Sequence, residues 1–189
     1  MASCRCWKES TILMKYFDEI KRSMTWLGEQ SDTIFLGQAV SYKGTAMTNT
    51  LPDVPDDKKI EMPVCEDLQM GITNGLALEG YVPVSIYPRW NFFVLAANQT
   101  INHLDKINLL GEYGVKAILR TGIGSERPLH PHYQHVGDYT DAYKILCPNM
   151  EVIRLDEPEE IFESYQKAYM RDDNKSTLIV ECMDFYNEK

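Results

Sequence analysis

The chain has 189 residues, 44% of them hydrophobic and 25% charged, with a formal net charge of −9. That composition suits a single globular domain over residues 1–189 with a sizeable core, and it contains no low-complexity tract or internal repeat. The acidic balance, with a pI near 4.9, argues against nucleic acid or an anionic membrane as partner, because those surfaces select basic patches.

The cysteines, Cys4, Cys6, Cys65, Cys147 and Cys182, are odd in number and form no Cys-x-x-Cys pair. Free thiols in a reducing compartment are the expectation. Met1 to Ser10 is charged, without an apolar core, and nowhere does the chain run about eighteen apolar residues together. Neither a signal peptide nor a membrane span is expected, and the protein is placed in the cytoplasm.

In chain order, Leu13, Tyr16, Phe17, Ile20 and Met24 mark an amphipathic helix that Ser10 or Thr11 would cap. Thr33 to Gly37 is a short apolar strand, and Gln38 to Lys59 is polar, contains Gly and Pro, and is long enough to be a functional loop. Ile60 to Cys65 leads into a helix whose apolar and small residues, Leu68, Ile72, Gly75 and Leu76, share one face, with Gly80 as its stop. Gly71 and Gly75 cost helix propensity, so close approach of another backbone or a ligand, on or beside the buried face, is their expected reason. Glu66 falls in the first turn, where the helix dipole tolerates an anion; on spacing alone a solvated first-turn glutamate is the simpler reading.

Val82 to Tyr87 reads as a strand and Asn91 to Ile107 as a long helix. Further strands follow at Val115 to Arg120, Glu151 to Leu155 and Leu178 to Glu181, with helices at Thr140 to Cys147 and Pro158 to Met170. This alternation predicts an α/β three-layer sandwich, a mostly parallel sheet with helices on both faces. In such sheets the loops at the carboxyl ends of the strands carry ligands. One of them is Arg89-Trp90-Asn91-Phe92-Phe93, whose rings can stack on a flat heterocycle or pack on their own sheet. Another spans Thr121 to His135 and gathers His130, His132 and His135. Its spacing allows an imidazole metal site, but no acid or thiolate completes a known ligand pattern, and solvated loop histidines are the simpler reading.

The run Pro63-Val64-Cys65-Glu66, with Gly71, Gly75 and Ala77 and then Gly80-Tyr81-Val82-Pro83-Val84, resembles the pyrimidine-binding domain of transketolase-like thiamine diphosphate enzymes. It is most similar to the N-terminal domain of 2-oxo acid dehydrogenase beta subunits, where the pattern is Pro-Ile-Ser-Glu, a glycine-rich helix, then Gly-x-x-Pro-Val. The resemblance covers about residues 33–184 and implies the thiamine diphosphate-binding fold of the pyrimidine-binding type. It gives Glu66 the role of cofactor-activating acid. Asn91-Phe92 with Ala96, Gln99 and Asn102 resembles the family's Asn-Phe-x-x-x-Ala-x-Asp-Gln-x-x-Asn helix, which implies that Phe92 packs on the aminopyrimidine ring. Asn98 stands where that pattern has an aspartate. Arg120 to Gly124 and Gln134-His135 are similar to the family's Arg-Thr-Pro-x-Gly and Gln-His-Ser landmarks, so His135 is the implied proton-transfer residue at the substrate. Val136 stands in place of the serine. Gln38-Ala39 replaces an acidic pair; Gln38 and Pro63 complete the implied cofactor-binding set.

The family holds the diphosphate and Mg²⁺ with a Gly-Asp-Gly motif and a downstream asparagine, whereas here Gly137-Asp138 is followed by Tyr139. The resemblance therefore implies the pyrimidine-binding subunit of a split enzyme acting on a 2-oxo acid or ketose. A separate diphosphate-binding chain would carry the metal, in a homo- or hetero-oligomer. The alternative is a non-catalytic structural or regulatory partner of the same fold.

Overall fold

A computed structural model describes residues 15–124 and 133–187. Twelve regular elements are built in order: α1 (Tyr16–Glu29), β1 (Thr33–Gly37), β2 (Lys59–Glu61), α2 (Glu66–Leu78), β3 (Val82–Ile86), α3 (Trp90–Phe93), α4 (Ile107–Leu110), β4 (Ile118–Ile123), α5 (Thr140–Leu146), β5 (Glu151–Leu155), α6 (Pro158–Met170) and β6 (Thr177–Cys182). The six strands form one sheet in the order β2-β1-β3-β4-β6-β5, and every neighbouring pair is parallel. β3 is buried along its whole length, as a strand covered on both faces must be.

One face carries α1 and α6. Tyr16, Ile20, Met24 and Leu27, spaced at helical period, meet Ile161 and Tyr165 over Phe35, Val84, Ile118 and Ile179. The other face carries α2, α3 and α5, with Met70, Ala77, Trp90, Phe93 and Tyr143 over Ala117, Leu119, Leu178 and Val180. Helices on both faces give the expected three layers. Chain order reverses around β1, which lies between β2 and β3, so the carboxyl ends of β1 and β3 flank a topological switch point.

Three sequence expectations change. The Ser10 or Thr11 cap lies outside the described residues, and Lys15 stands at the start of α1 with no side-chain cap. The buried face of α2 is Glu66, Gln69, Met70, Thr73, Asn74 and Ala77, not the Leu68, Ile72, Gly75 and Leu76 stripe; Leu68 is 47% exposed. A Cβ at Gly71 or Gly75 would meet nothing within 4 Å. The sequence pattern marked the outward stripe because the inward one is polar and bonded. Lastly, Asn91 to Ile107 is not one α-helix: α3 is followed by 3₁₀ geometry at Val94–Ala96, π geometry at Gln99–Leu104 and the separate α4. Such changes of hydrogen-bond period in a continuous helical track are frequent near functional sites.

Among the described residues no helix is long and apolar enough to cross a membrane. Cys65, Cys147 and Cys182 are free thiols; Cys4 and Cys6 lie outside the described residues.

Candidate functional site

At the carboxyl end of β1 the chain turns sharply beside β3. Gly37 pairs with Ile86, and a Cβ on it would lie 2.5 Å from the Ile86 carbonyl oxygen. Only glycine allows that approach. Ala39 then adopts φ 59°, a left-handed conformation that costs energy for a residue with a Cβ. Glu61, at the end of β2, offsets that cost: its carboxylate accepts the backbone N–H groups of Ala39, Val40 and Ser41 at 2.6, 2.9 and 2.8 Å. The bend so fixed presents Gln38, whose amide donates to Glu66 Oε1 at 3.0 Å.

Glu66 is the first residue of α2 and only 4% exposed. It is therefore not the solvated first-turn glutamate that spacing also allowed. Its helix is anchored one turn on by Gln69, whose amide donates to Ser85 Oγ at 3.1 Å and to the Ile86 carbonyl at 3.0 Å. Thr73 adds a 2.9 Å hydroxyl pair with Ser85. A buried carboxyl on a helix N-terminus, with a neutral amide as its side-chain donor, is equipped to exchange a proton or a hydrogen bond with a ligand nitrogen. Pro63 is exposed on the approach to α2, and its carbonyl accepts the Cys65 amide at 2.7 Å.

The aromatic cluster after β3 divides. Trp90 and Phe93 are fully buried in the core, while Phe92 is half-buried and stacks on the His135 imidazole, centroids 5.3 Å apart and planes 22° from parallel. The two residues assigned to cofactor ring and substrate proton are thus brought together across 43 residues of sequence, and one face of Phe92 is covered by the imidazole. His135 Nδ1 is buried with no hydrogen-bond partner among the described residues. Val136, in place of serine, is 43% exposed and has no side-chain donor. Tyr87 packs with the buried part of the cluster: its ring meets Phe93 edge-on at 4.9 Å. Burial pushes its phenol above the ordinary range, and the nearby Glu66 and Asp67 carboxylates push the same way.

These residues fit the base and flat ring that a pyrimidine needs, a buried carboxyl and an aromatic flanked by an unpartnered imidazole nitrogen. A metal finds no such set: among the described residues no group of three His, Cys, Asp or Glu side chains is placed to hold one. His130 and His132 lie outside the described residues.

Sequence reasoning missed Glu61, and it missed a buried polar cluster between the middle of β4 and the end of β6. Arg120 donates to Glu181 through Nε at 2.6 Å and Nη2 at 2.9 Å, to Thr50 Oγ1 at 2.8 Å and to the Tyr186 hydroxyl at 2.9 Å. The Tyr165 and Tyr186 hydroxyls also donate to the Glu181 carboxylate. Burial is the largest single influence on Arg120 and opposes its charge, but Glu181, Tyr186 and Tyr165 together outweigh it and hold the guanidinium well above its ordinary value. The cluster ties the loop after β1, through Thr50, to the sheet and to the segment after β6. A charged residue inside each of two apolar strand patterns, Arg120 and Glu181, was the available signal.

A family model described as the transketolase pyrimidine binding domain matches residues 18–187. No curated protein matches the chain. A solved structure described as a split gene transketolase, inactive beta4 tetramer, is similar at a TM-score of 0.62 and 16% identity, covering 90% of this chain and 52% of that one. At that identity the likeness is one of fold, and this chain spans about half the length of its neighbour.

Proposed function

The chain belongs to the transketolase pyrimidine-binding domain family, and from that membership we propose that it is the pyrimidine-binding subunit of a split thiamine diphosphate enzyme acting on a 2-oxo acid or ketose. The whole chain is read as one such domain. The observation that carries the reading is the Glu66 carboxyl, 4% exposed at the switch point of the sheet and met by the Gln38 amide. Glu66 would hydrogen-bond a pyrimidine ring nitrogen and share its proton. Phe92 would pack on the ring, with Pro63 and Gln38 bordering it. His135 would serve the substrate oxygen as the proton-transfer residue. Thiamine diphosphate supplies, when bound, a nucleophilic thiazolium carbon and the electron sink for cleavage next to a carbonyl.

A separate chain would hold the diphosphate and Mg²⁺, since Gly137-Asp138-Tyr139 departs from the family's metal motif. Assembly is supported by the outward face described above: Val64, Leu68 and Leu78 on and before α2, and Val94 and Leu95 after α3, are large apolar side chains left exposed. Cytoplasmic placement belongs to the same reading, as free thiols suit a reducing compartment.

Calorimetry with thiamine diphosphate tests the proposal. The chain alone binds weakly or not at all, and tight binding requires the diphosphate-binding partner and Mg²⁺. Tight, Mg²⁺-independent binding by the chain alone would refute the division of labour. A second reading, a structural or regulatory subunit, is favoured by one observation: His135 Nδ1 is buried with no hydrogen-bond partner among the described residues, and Val136 stands where the family pattern has a serine. A reconstituted complex with full turnover excludes it.

A further inference from the structure

Past β6 the chain does not leave the sheet. Met183–Asn187 turns back as 3₁₀ helix against the carboxyl end of β4. Met183 and Asp184 lie where that strand has no side chains: a Cβ on Gly122 would be 2.5 Å from the Met183 sulfur, and one on Gly124 would be 2.4 Å from an Asp184 carboxylate oxygen. Phe185 and Tyr186 then reach the first turn of α1, the Phe185 ring edge-on to Tyr16 at 5.4 Å and the Tyr186 ring 5.4 Å from Phe17. The Tyr186 hydroxyl enters the buried cluster of Arg120 and Glu181, accepting from Arg120 Nη2 at 2.9 Å and donating to Glu181. The Cys182 thiol sits at the hinge, where it accepts the backbone N–H groups of Asp184 and Phe185.

Two features separate this segment energetically from the fold it covers. Without Tyr186, Arg120 keeps its bonds to Glu181 through Nε and Nη2 and to Thr50 through Nη1, and Glu181 still receives the Tyr165 hydroxyl. Lifting the segment therefore leaves no buried charge unpaired, the step that would make opening as costly as unfolding. Its ring anchors, Phe185 and Tyr186, are only partly buried, which places the segment at the low end of local stability. It also touches both routes into the candidate site. The chain runs on to His135 from Gly122 and Gly124, on which the segment rests. Burial lowers the Arg89 guanidinium below its ordinary value, and the Asp184 carboxylate works against that loss of charge. The Arg89 carbonyl in turn accepts the N–H groups of Phe92 and Phe93, at 3.1 Å each. We propose that Met183–Asn187 is a latch: it opens and closes while the rest of the chain stays folded, and when closed it fixes the end of β4 and the entry to α3, from which His135 and Phe92 are presented. The opening itself does not rest on the thiamine diphosphate reading.

Thiol labelling of the full chain tests this. Iodoacetamide at about pH 8, mapped peptide by peptide with mass spectrometry, should modify Cys65 fastest, Cys182 more slowly and Cys147 slowest. Cys65 is exposed, Cys182 is half-buried at the hinge, and Cys147 is buried in the core. The Cys182 rate should depend weakly on urea, because opening the latch exposes little surface, and the Cys147 rate steeply. Tyr186→Phe keeps the ring and removes the hydroxyl. It should speed Cys182 labelling roughly tenfold, the loss of one hydrogen bond to a charged group, and leave Cys147 unchanged. Hydrogen exchange should quicken at Phe92, Phe93 and the end of β4 while the α2 amides keep their protection. Equal urea dependence at Cys182 and Cys147 in the native chain overturns the latch, since the segment then opens only with the whole fold. An unchanged Cys182 rate in Tyr186→Phe overturns Tyr186 as its catch. Faster Cys182 labelling with unchanged exchange at Phe92, Phe93 and the end of β4 overturns the link to the site.

Discussion

The Gln38 amide nitrogen lies 3.0 Å from Glu66 Oε1 and donates to it, joining the bend after β1 to the first turn of α2. The Glu66→Gln variant keeps size and burial but has no carboxyl to share a proton. Folding and assembly should survive. Turnover of the reconstituted complex should fall about a hundredfold to ten-thousandfold, the usual cost of losing an acid or base at the reacting centre. Proton exchange at the thiazolium carbon, followed by NMR, should slow with it, whereas His135→Ala should slow turnover and spare exchange. Unchanged exchange and turnover in Glu66→Gln would reduce Glu66 to a helix-capping acid.

Glu61 carries a structural prediction. Its carboxylate accepts three successive backbone N–H groups, from Ala39, Val40 and Ser41. An amide side chain has one acceptor oxygen and turns two N–H donors toward the same backbone donors. Glu61→Gln should therefore cost about 1–3 kcal/mol of stability. Hydrogen exchange should quicken first at those three amides, and Gln38 should lose its hold on Glu66. Equal protection of the three amides in both proteins would show that the bend is held by something else.

Arg120 and Glu181 are each 1% exposed and pair with each other. Glu181→Gln leaves a buried guanidinium without its counter-charge, and thermal or urea unfolding should register a loss of about 3–5 kcal/mol. Replacing both, Arg120→Met with Glu181→Leu, should recover much of that, because the desolvation cost disappears along with the attraction. A double variant as unstable as Glu181→Gln would mean that Thr50, Tyr165 and Tyr186 depend on the charged pair for their own placement.

The layers of this fold were legible because its strands are apolar runs bounded by turn residues and α1 and α6 keep a clear helical period. α2 misled because its inward face is made of Gln69, Thr73 and Asn74, side chains that polarity scores as outward. They are tolerated inside because Ser85, Ile86 and the Gln99 carbonyl receive their hydrogen bonds. The candidate site was readable as separate landmarks, Glu66, Phe92 and His135, through family likeness. The Phe92 and His135 stacking was not, since no local pattern encodes contact between a post-strand turn and a distant loop. Glu61 was illegible for a related reason: three acceptor bonds to backbone leave no trace in side-chain composition.

The outward stripe of α2 makes a prediction about assembly. Val64 and Leu95 are 80% and 62% exposed, and open space beside Gly71 and Gly75 lets another helix approach closely. Sedimentation should report an oligomer, alone or with the diphosphate-binding chain, and Leu68→Lys with Leu95→Lys should dissociate it without unfolding the chain. A wild-type chain that stays monomeric with and without its partner would leave that face unexplained.

The thiols give a pH-dependent test. Cys147 is 1% exposed, and burial, with the Asp105 carboxylate adding to it, pushes its thiol up to about 12. Cys65 is exposed. An unfolded cysteine titrates near about 8.5, so the folded state favours the neutral thiol at position 147. A raised folded value means that this contribution to stability is fully present below about 8.5 and is lost as the pH climbs toward 12. Denaturant midpoints should therefore fall between those limits in the native chain, and less steeply in Cys147→Ala, which has no thiol to ionise. Reactivity follows the thiolate. At pH near 8, iodoacetamide mapped by mass spectrometry should modify Cys65 in the folded chain and reach Cys147 only as urea populates the unfolded one. Labelling of Cys147 at the Cys65 rate without denaturant would mean that the α5 end of the core opens far more readily than its packing implies.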